Sequence, residues 1–117
     1  MAKLVRAAVK TDIEKTEIRE FELPQIGEDD GLLKVESSGV GGSDPEMYRK
    51  ENTAPCIMGH EVVGTVSAVG EGAAKRWGVK PGDRIALHEY LPCWHCHWCR
   101  QGDFRLCMEA DFFNVKD

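Results

Sequence analysis

The chain has 117 residues, 42% of them hydrophobic and 30% charged, with a formal net charge of -5; this suits one globular domain with a modest core. The acidic balance, with no basic patch, argues against a nucleic-acid partner, and no apolar run nears the roughly 20 residues that span a bilayer. The opening MAKLVRAAVKTDIEK turns charged too soon for a secretory signal, so its clustered thiols point to a reducing, cytoplasmic setting.

Residues 3–10 alternate, with Val5, Ala7 and Val9 on one face and Leu4, Arg6, Ala8 and Lys10 on the other, the pattern of an edge strand. Thr11-Asp12 reads as its end. Thr16 to Leu23 predicts a second strand in which Ile18 and Phe21 are out of phase, and a bulge between them would reconcile the two. Pro24 stops it, because proline offers no ladder donor. Glu28 to Gly31 is a turn, and Leu32 to Ser37 a third strand with Leu33 and Val35 inward. Asp44 before Pro45 reads as the N-cap of a short helix through Met47, Tyr48 and Arg49. Gly39, Gly41 and Gly42 let the backbone pass close to another group, but their spacing is not a dinucleotide fingerprint.

Pro55 to His60 is a loop carrying Cys56, read as a small buried side chain. Glu61 to Val69 alternates as a strand, and Gly70-Glu71-Gly72 reads as a turn. Lys80-Pro81-Gly82-Asp83 has the residues of a type II turn, followed by a strand over Arg84 to His88 with Ile85 and Leu87 inward. A helical turn is expected near Trp98 to Gly102. Short strands separated by Gly/Pro turns, without strand–helix alternation, indicate an all-β barrel or sandwich.

Cys93, Cys96, Cys99 and Cys107 follow the spacing C-x2-C-x2-C-x7-C. Short x2 spacings let a tight turn aim two sulfurs at one ion, and four thiolates suit tetrahedral zinc. Two rivals remain at this level. A disulfide cluster is poorly served by x2 neighbours, and an iron–sulfur motif usually places proline after its last cysteine, where this chain has Met108. Four protein ligands leave no open position, so such a zinc is structural. Arg100 and Arg105 are expected to stabilise the thiolates by charge-assisted hydrogen bonds.

Chemistry must then lie elsewhere, and Gly42-Ser43-Asp44 and Gly59-His60-Glu61 qualify. His60 and Glu61 can offer a metal a nitrogen and an oxygen, Asp44 can hold the other imidazole nitrogen, and Ser43 can relay a proton to a substrate oxygen. On residue types alone, a His–Glu pair is more often a hydrogen-bonded structural pair.

The order Gly-Val-x-Gly-Ser-Asp, Gly-His-Glu, Gly-Val-Lys-Pro-Gly-Asp-Arg and the four-cysteine cluster resembles the N-terminal, GroES-like catalytic domain of zinc-dependent medium-chain alcohol dehydrogenases, from about Val5 to Cys107. The resemblance implies one partly open β-barrel over residues 1–117, with a zinc lobe at 93–107. In a full-length parent this would join a Rossmann domain that binds NAD or NADP. It implies that Cys93, Cys96, Cys99 and Cys107 hold structural zinc, that His60 ligates a catalytic zinc with Glu61 beside it, that Ser43 touches the alcohol or carbonyl oxygen, and that Asp44 supports the site. Two departures stand out. Gly41 occupies the place of the family's usual cysteine, and Glu46 that of a frequent relay histidine. The remaining zinc ligand and the cofactor-binding unit would lie beyond Asp117. The expectation is therefore a truncated catalytic-domain fragment of an NAD(P)-dependent alcohol or polyol dehydrogenase, inactive by itself, with no nucleic-acid or membrane partner. Phe112 and Phe113 are expected to favour self-association where the missing domain would dock. A non-enzymatic, zinc-stabilised binding module and an iron–sulfur carrier are the alternatives.

Overall fold

Alternation of small β-branched residues builds most of the regular structure in this computed structural model, which describes residues 2–51 and 54–112. Two compact units are present, residues 1–87 and 88–117. In the first, β1 (Leu4–Asp12), β2 (Lys15–Glu22) and β4 (Cys56–Ile57) form an antiparallel sheet in the order β2-β1-β4. A second antiparallel sheet has the order β3-β5-β6, from Gly31–Gly39, Glu61–Val69 and Arg84–Leu87. The strands are all-β in character with short helices, and the sheets do not close into a full barrel. Two helices accompany them, α1 (Asp44–Arg49) and α2 (Glu71–Trp77).

The inner positions of the alternating strands supply the core: Val9 on β1, Val62 and Val66 on β5, and Ala73 on α2 are buried. Gly64 lies between the two valines because a side chain there would meet the Lys34 carbonyl oxygen at 2.3 Å. The type II turn forms as expected, with Gly82 at φ +93° and the Asp83 N–H donating to Lys80 O at 3.1 Å.

Several expectations are corrected. β1 is central in its sheet, not an edge, and it continues through Thr11-Asp12. The irregularity in its hairpin falls between Lys10 and Asp12, whereas Ile18 and Phe21 pair in unbroken register and both stay exposed. β3 has register shifts at Leu32/Leu33 and Val35/Ser37, and Val35, expected inward, is exposed. Leu87, at the end of β6, is also exposed. Ser43 occupies the N-cap position of α1, and Asp44 is the first helical residue. Gly70-Glu71-Gly72 opens α2 instead of a simple turn. Ala73, Ala74, Lys75 and Arg76 carry the helix, a Glu71–Lys75 pair spans one turn at 2.9 Å, and Gly78 ends it in the left-handed conformation at φ 65°.

Lys10 departs furthest from its alternation pattern. Only 1% exposed, it sends its ammonium to the carbonyl oxygens of Met47, at 2.7 Å, and of Lys50. These are carbonyls of the last turn and C-cap of α1, the end of the helix that favours a cation.

The second unit contains a two-stranded sheet, β7 (Tyr90–Leu91) with β8 (Asp111–Phe112), the helical turn α3 (His97–Arg100), and a 3-10 turn over Phe104–Leu106. Phe113 and the Phe112 side chain, invoked above for self-association, lie outside the described residues. Among the described residues no helix is long and apolar enough to cross a membrane.

Candidate metal centre and the Asp44–His60 pair

In the second unit the chain turns back on itself at Trp94, which takes a left-handed φ of 62°, and again at Gly102, at φ 89°. Between these turns Cys96 caps α3, its sulfur accepting the Cys99 N–H at 3.5 Å. The Cys93 sulfur accepts the Cys96 N–H at 3.2 Å, and the Cys107 sulfur accepts the Cys93 N–H at 3.4 Å. The four sulfurs lie within 4.8 Å of one another, and none is in a disulfide. Backbone N–H groups therefore do the work expected of Arg100 and Arg105. Arg105 instead stands over the Tyr90 ring, 5.9 Å from its centroid.

The thiols are electrostatically unequal. The Cys99 N–H, above all, brings Cys96 down to about 6. Burial pushes Cys99 up to about 12 and also raises Cys93. A dication among the sulfurs would offset the burial cost of the buried thiolate, since a coordinating thiol is deprotonated outright. The donor set, its convergence and its N–H···S bonds fit zinc. A second convergence beside it, Cys93, His95 and Glu109, is exposed at its latter two residues. There the His95 imidazole meets Glu109 at 3.2 Å.

The first unit holds the other candidates. Gly41 N–H donates to Asp44 Oδ2 at 2.7 Å, and Gly59 N–H reaches Asp44 Oδ1 at 3.4 Å. Asp44 is 4% exposed. The same Oδ2 faces His60 Nδ1 at 3.1 Å. The structure thus brings Asp44 and His60 together as expected, with Asp44 orienting the imidazole. Gly59, at φ +90°, permits this by packing against Ser38, where a side chain could not sit without strain. Ser43 is exposed at the start of α1, beside Asp44. Glu61 turns the other way, with Oε2 2.9 Å from where a Cβ on Gly39 would be. Among the described residues, His60, Glu61 and Asp44 do not form a convergent trio of ligand atoms.

Sequence reasoning missed Lys10, whose buried amine holds the far end of the helix that begins with Asp44. No local signal marks it, because its acceptors are about forty positions away.

Comparison with known proteins gives three kinds of match. The family model described as the alcohol dehydrogenase GroES-like domain covers residues 27–115. Two curated relatives are similar: a probable alcohol dehydrogenase of Mycobacterium tuberculosis, 41% identical over 90% of this chain and 29% of its own, and a zinc-type alcohol dehydrogenase-like protein of Escherichia coli, 39% identical over 78% and 27%. Among solved structures, a short chain alcohol dehydrogenase of Escherichia coli complexed with NADH superposes with a TM-score of 0.81 at 29% identity, covering 96% of this chain and 32% of its own. The chain thus spans about three-tenths of the length of these relatives.

Proposed function

Because this chain belongs to the alcohol dehydrogenase GroES-like domain family, we propose that it forms the substrate-side domain of an NAD(P)-dependent oxidoreductase acting on an alcohol, a polyol or the corresponding carbonyl compound. The observation that carries this reading is the Asp44–His60 pair, an imidazole oriented by a buried carboxylate, with Ser43 exposed next to Asp44 at the start of α1. In the complete enzyme a hydride passes between the substrate carbon and a nicotinamide held by a separate Rossmann domain. This chain's part is to bind and orient the substrate oxygen, with Ser43 as the hydroxyl that exchanges its proton. Residues 1–117 form one GroES-like domain in this reading, and its zinc lobe spans 93–107.

Cys93, Cys96, Cys99 and Cys107 hold a structural zinc, which supplies a cross-link across the lobe and no chemistry. In this reading the nicotinamide is held by the separate Rossmann domain, so turnover needs both domains. Its setting is the cytoplasm, in keeping with free thiols.

The test is a domain graft. This chain replaces the corresponding N-terminal domain of the Mycobacterium tuberculosis relative, and nicotinamide reduction is followed at 340 nm with a panel of alcohols and polyols. Turnover that disappears in Ser43→Ala supports the reading. A correctly folded, zinc-loaded graft that binds the nicotinamide but turns over no alcohol would favour a non-enzymatic zinc-stabilised module.

A further inference from the structure

We propose that the described residues of this domain build one metal site, not two: the His60 imidazole is seated on Gly41, in the space that a ligand at position 41 would need. This rests on the reading of the domain given above and refines it. A Cβ placed on Gly41 would fall 2.3 Å from His60 Cε1 and 2.5 Å from His60 Nε2, well inside any real contact. The ring is not loosely placed there. Asp44 Oδ2 bridges the Gly41 N–H, at 2.7 Å, and His60 Nδ1, at 3.1 Å, so ring and backbone are tied to the same buried oxygen.

Gly41 is not kept for a left-handed backbone, since it is not among the glycines with positive φ. Its missing side chain instead makes room for the imidazole. A thiolate at 41 would have to displace the ring and break its alignment with Asp44. Among the described residues the neighbouring donors are turned away or engaged: Glu61 points to Gly39, and Asp44 Oδ2 takes the Gly41 N–H. A zinc needs three protein ligands even at a catalytic centre with an open position. The described residues of this loop therefore present hydrogen-bonding groups and not a set of metal ligands.

The decisive experiment has two readouts on the 117-residue chain. Anaerobic titration of the metal-free protein with Co(II), followed by its thiolate charge-transfer and d–d bands, should saturate at one equivalent in both wild type and His60→Ala. Long-range 1H–15N spectra should show the His60 ring signals unmoved by excess zinc, yet clearly shifted by Gly41→Ala, which adds only a methyl group. Cys96→Ser should disturb the single equivalent and leave the His60 signals in place, which keeps a failure of the four-thiolate centre distinct from a failure here. A second tight equivalent of Co(II) that His60→Ala removes would overturn the proposal. So would Gly41→Ala with the His60 ring signals unchanged.

Discussion

Lys10→Met tests the least expected feature of the fold. The substitution keeps an unbranched side chain of similar length in β1 and removes only the ammonium. Lys10 is 1% exposed and donates to Met47 O, at 2.7 Å, and to Lys50 O. Hydrogen bonds from a charged donor contribute about 1.5–3 kcal/mol each, and two set a gross loss of roughly 3–6 kcal/mol. Two effects reduce it. Burying an ammonium costs several kcal/mol, which methionine avoids, and Met47 O retains the Lys50 N–H as a donor at 3.3 Å. The net destabilisation should be about 2 kcal/mol, equivalent to roughly 8 °C in Tm for a domain of this size. Urea unfolding of zinc-loaded protein, followed by circular dichroism, measures it, with Lys15→Met as the control. Lys15 is exposed and pairs with Glu17 at the surface, so its loss should change nothing measurable. Equal midpoints for the two variants would refute the buried tie between β1 and the end of α1.

Cys96→Ser should abolish stoichiometric zinc and loosen the 88–117 unit, while the β3-β5-β6 sheet of the 1–87 unit keeps its amide protection in hydrogen exchange. Collapse of both units together would contradict their independence. Gly64→Ala should destabilise by about 1–3 kcal/mol through overpacking, because the new Cβ meets backbone at Lys34 O, 2.3 Å away, which cannot swing aside; an unchanged unfolding midpoint would count against this β3–β5 packing. Glu36 sits across the second sheet from Thr65 and Arg84, whose hydroxyl, first, and guanidinium hold its carboxyl below the usual glutamate range. The unfolded chain then binds more protons in the acid range, so this stabilisation is present above the ordinary glutamate pKa and disappears as pH falls through the lowered value. Glu36→Gln should flatten the acid limb of the stability-against-pH curve, and an unchanged limb would show that the pairing is not made in solution.

How much could be read from the chain depended on how local each feature is. The four-cysteine cluster was legible because four thiols within one short segment converge through turns that the segment itself supplies, at Trp94 and Gly102. The β5 strand was legible because Val62, Gly64 and Val66 repeat at the period of a pleated sheet, and all three are buried. The type II turn was legible because proline fixes φ at its first central position and glycine tolerates the positive φ at its second, whatever surrounds them. Helix α2 was misread as a turn: Gly70 and Gly72 outweighed the helix-forming residues after them, although Gly78 marked its end.

Other features were decided only when distant segments met. Alternation shows that a strand has two faces but not what will cover them, so β1 looked like an edge until β4 paired with it. Lysine is exposed by default because its charge is costly to bury. Lys10 is buried because the last carbonyls of α1 arrive from about forty residues away to accept its protons. The Asp44–His60 pairing could be anticipated from its residue types, but the seating of the ring on Gly41 could not. A glycine in sequence records only an absence of atoms, and the folded chain determines which neighbour fills that space.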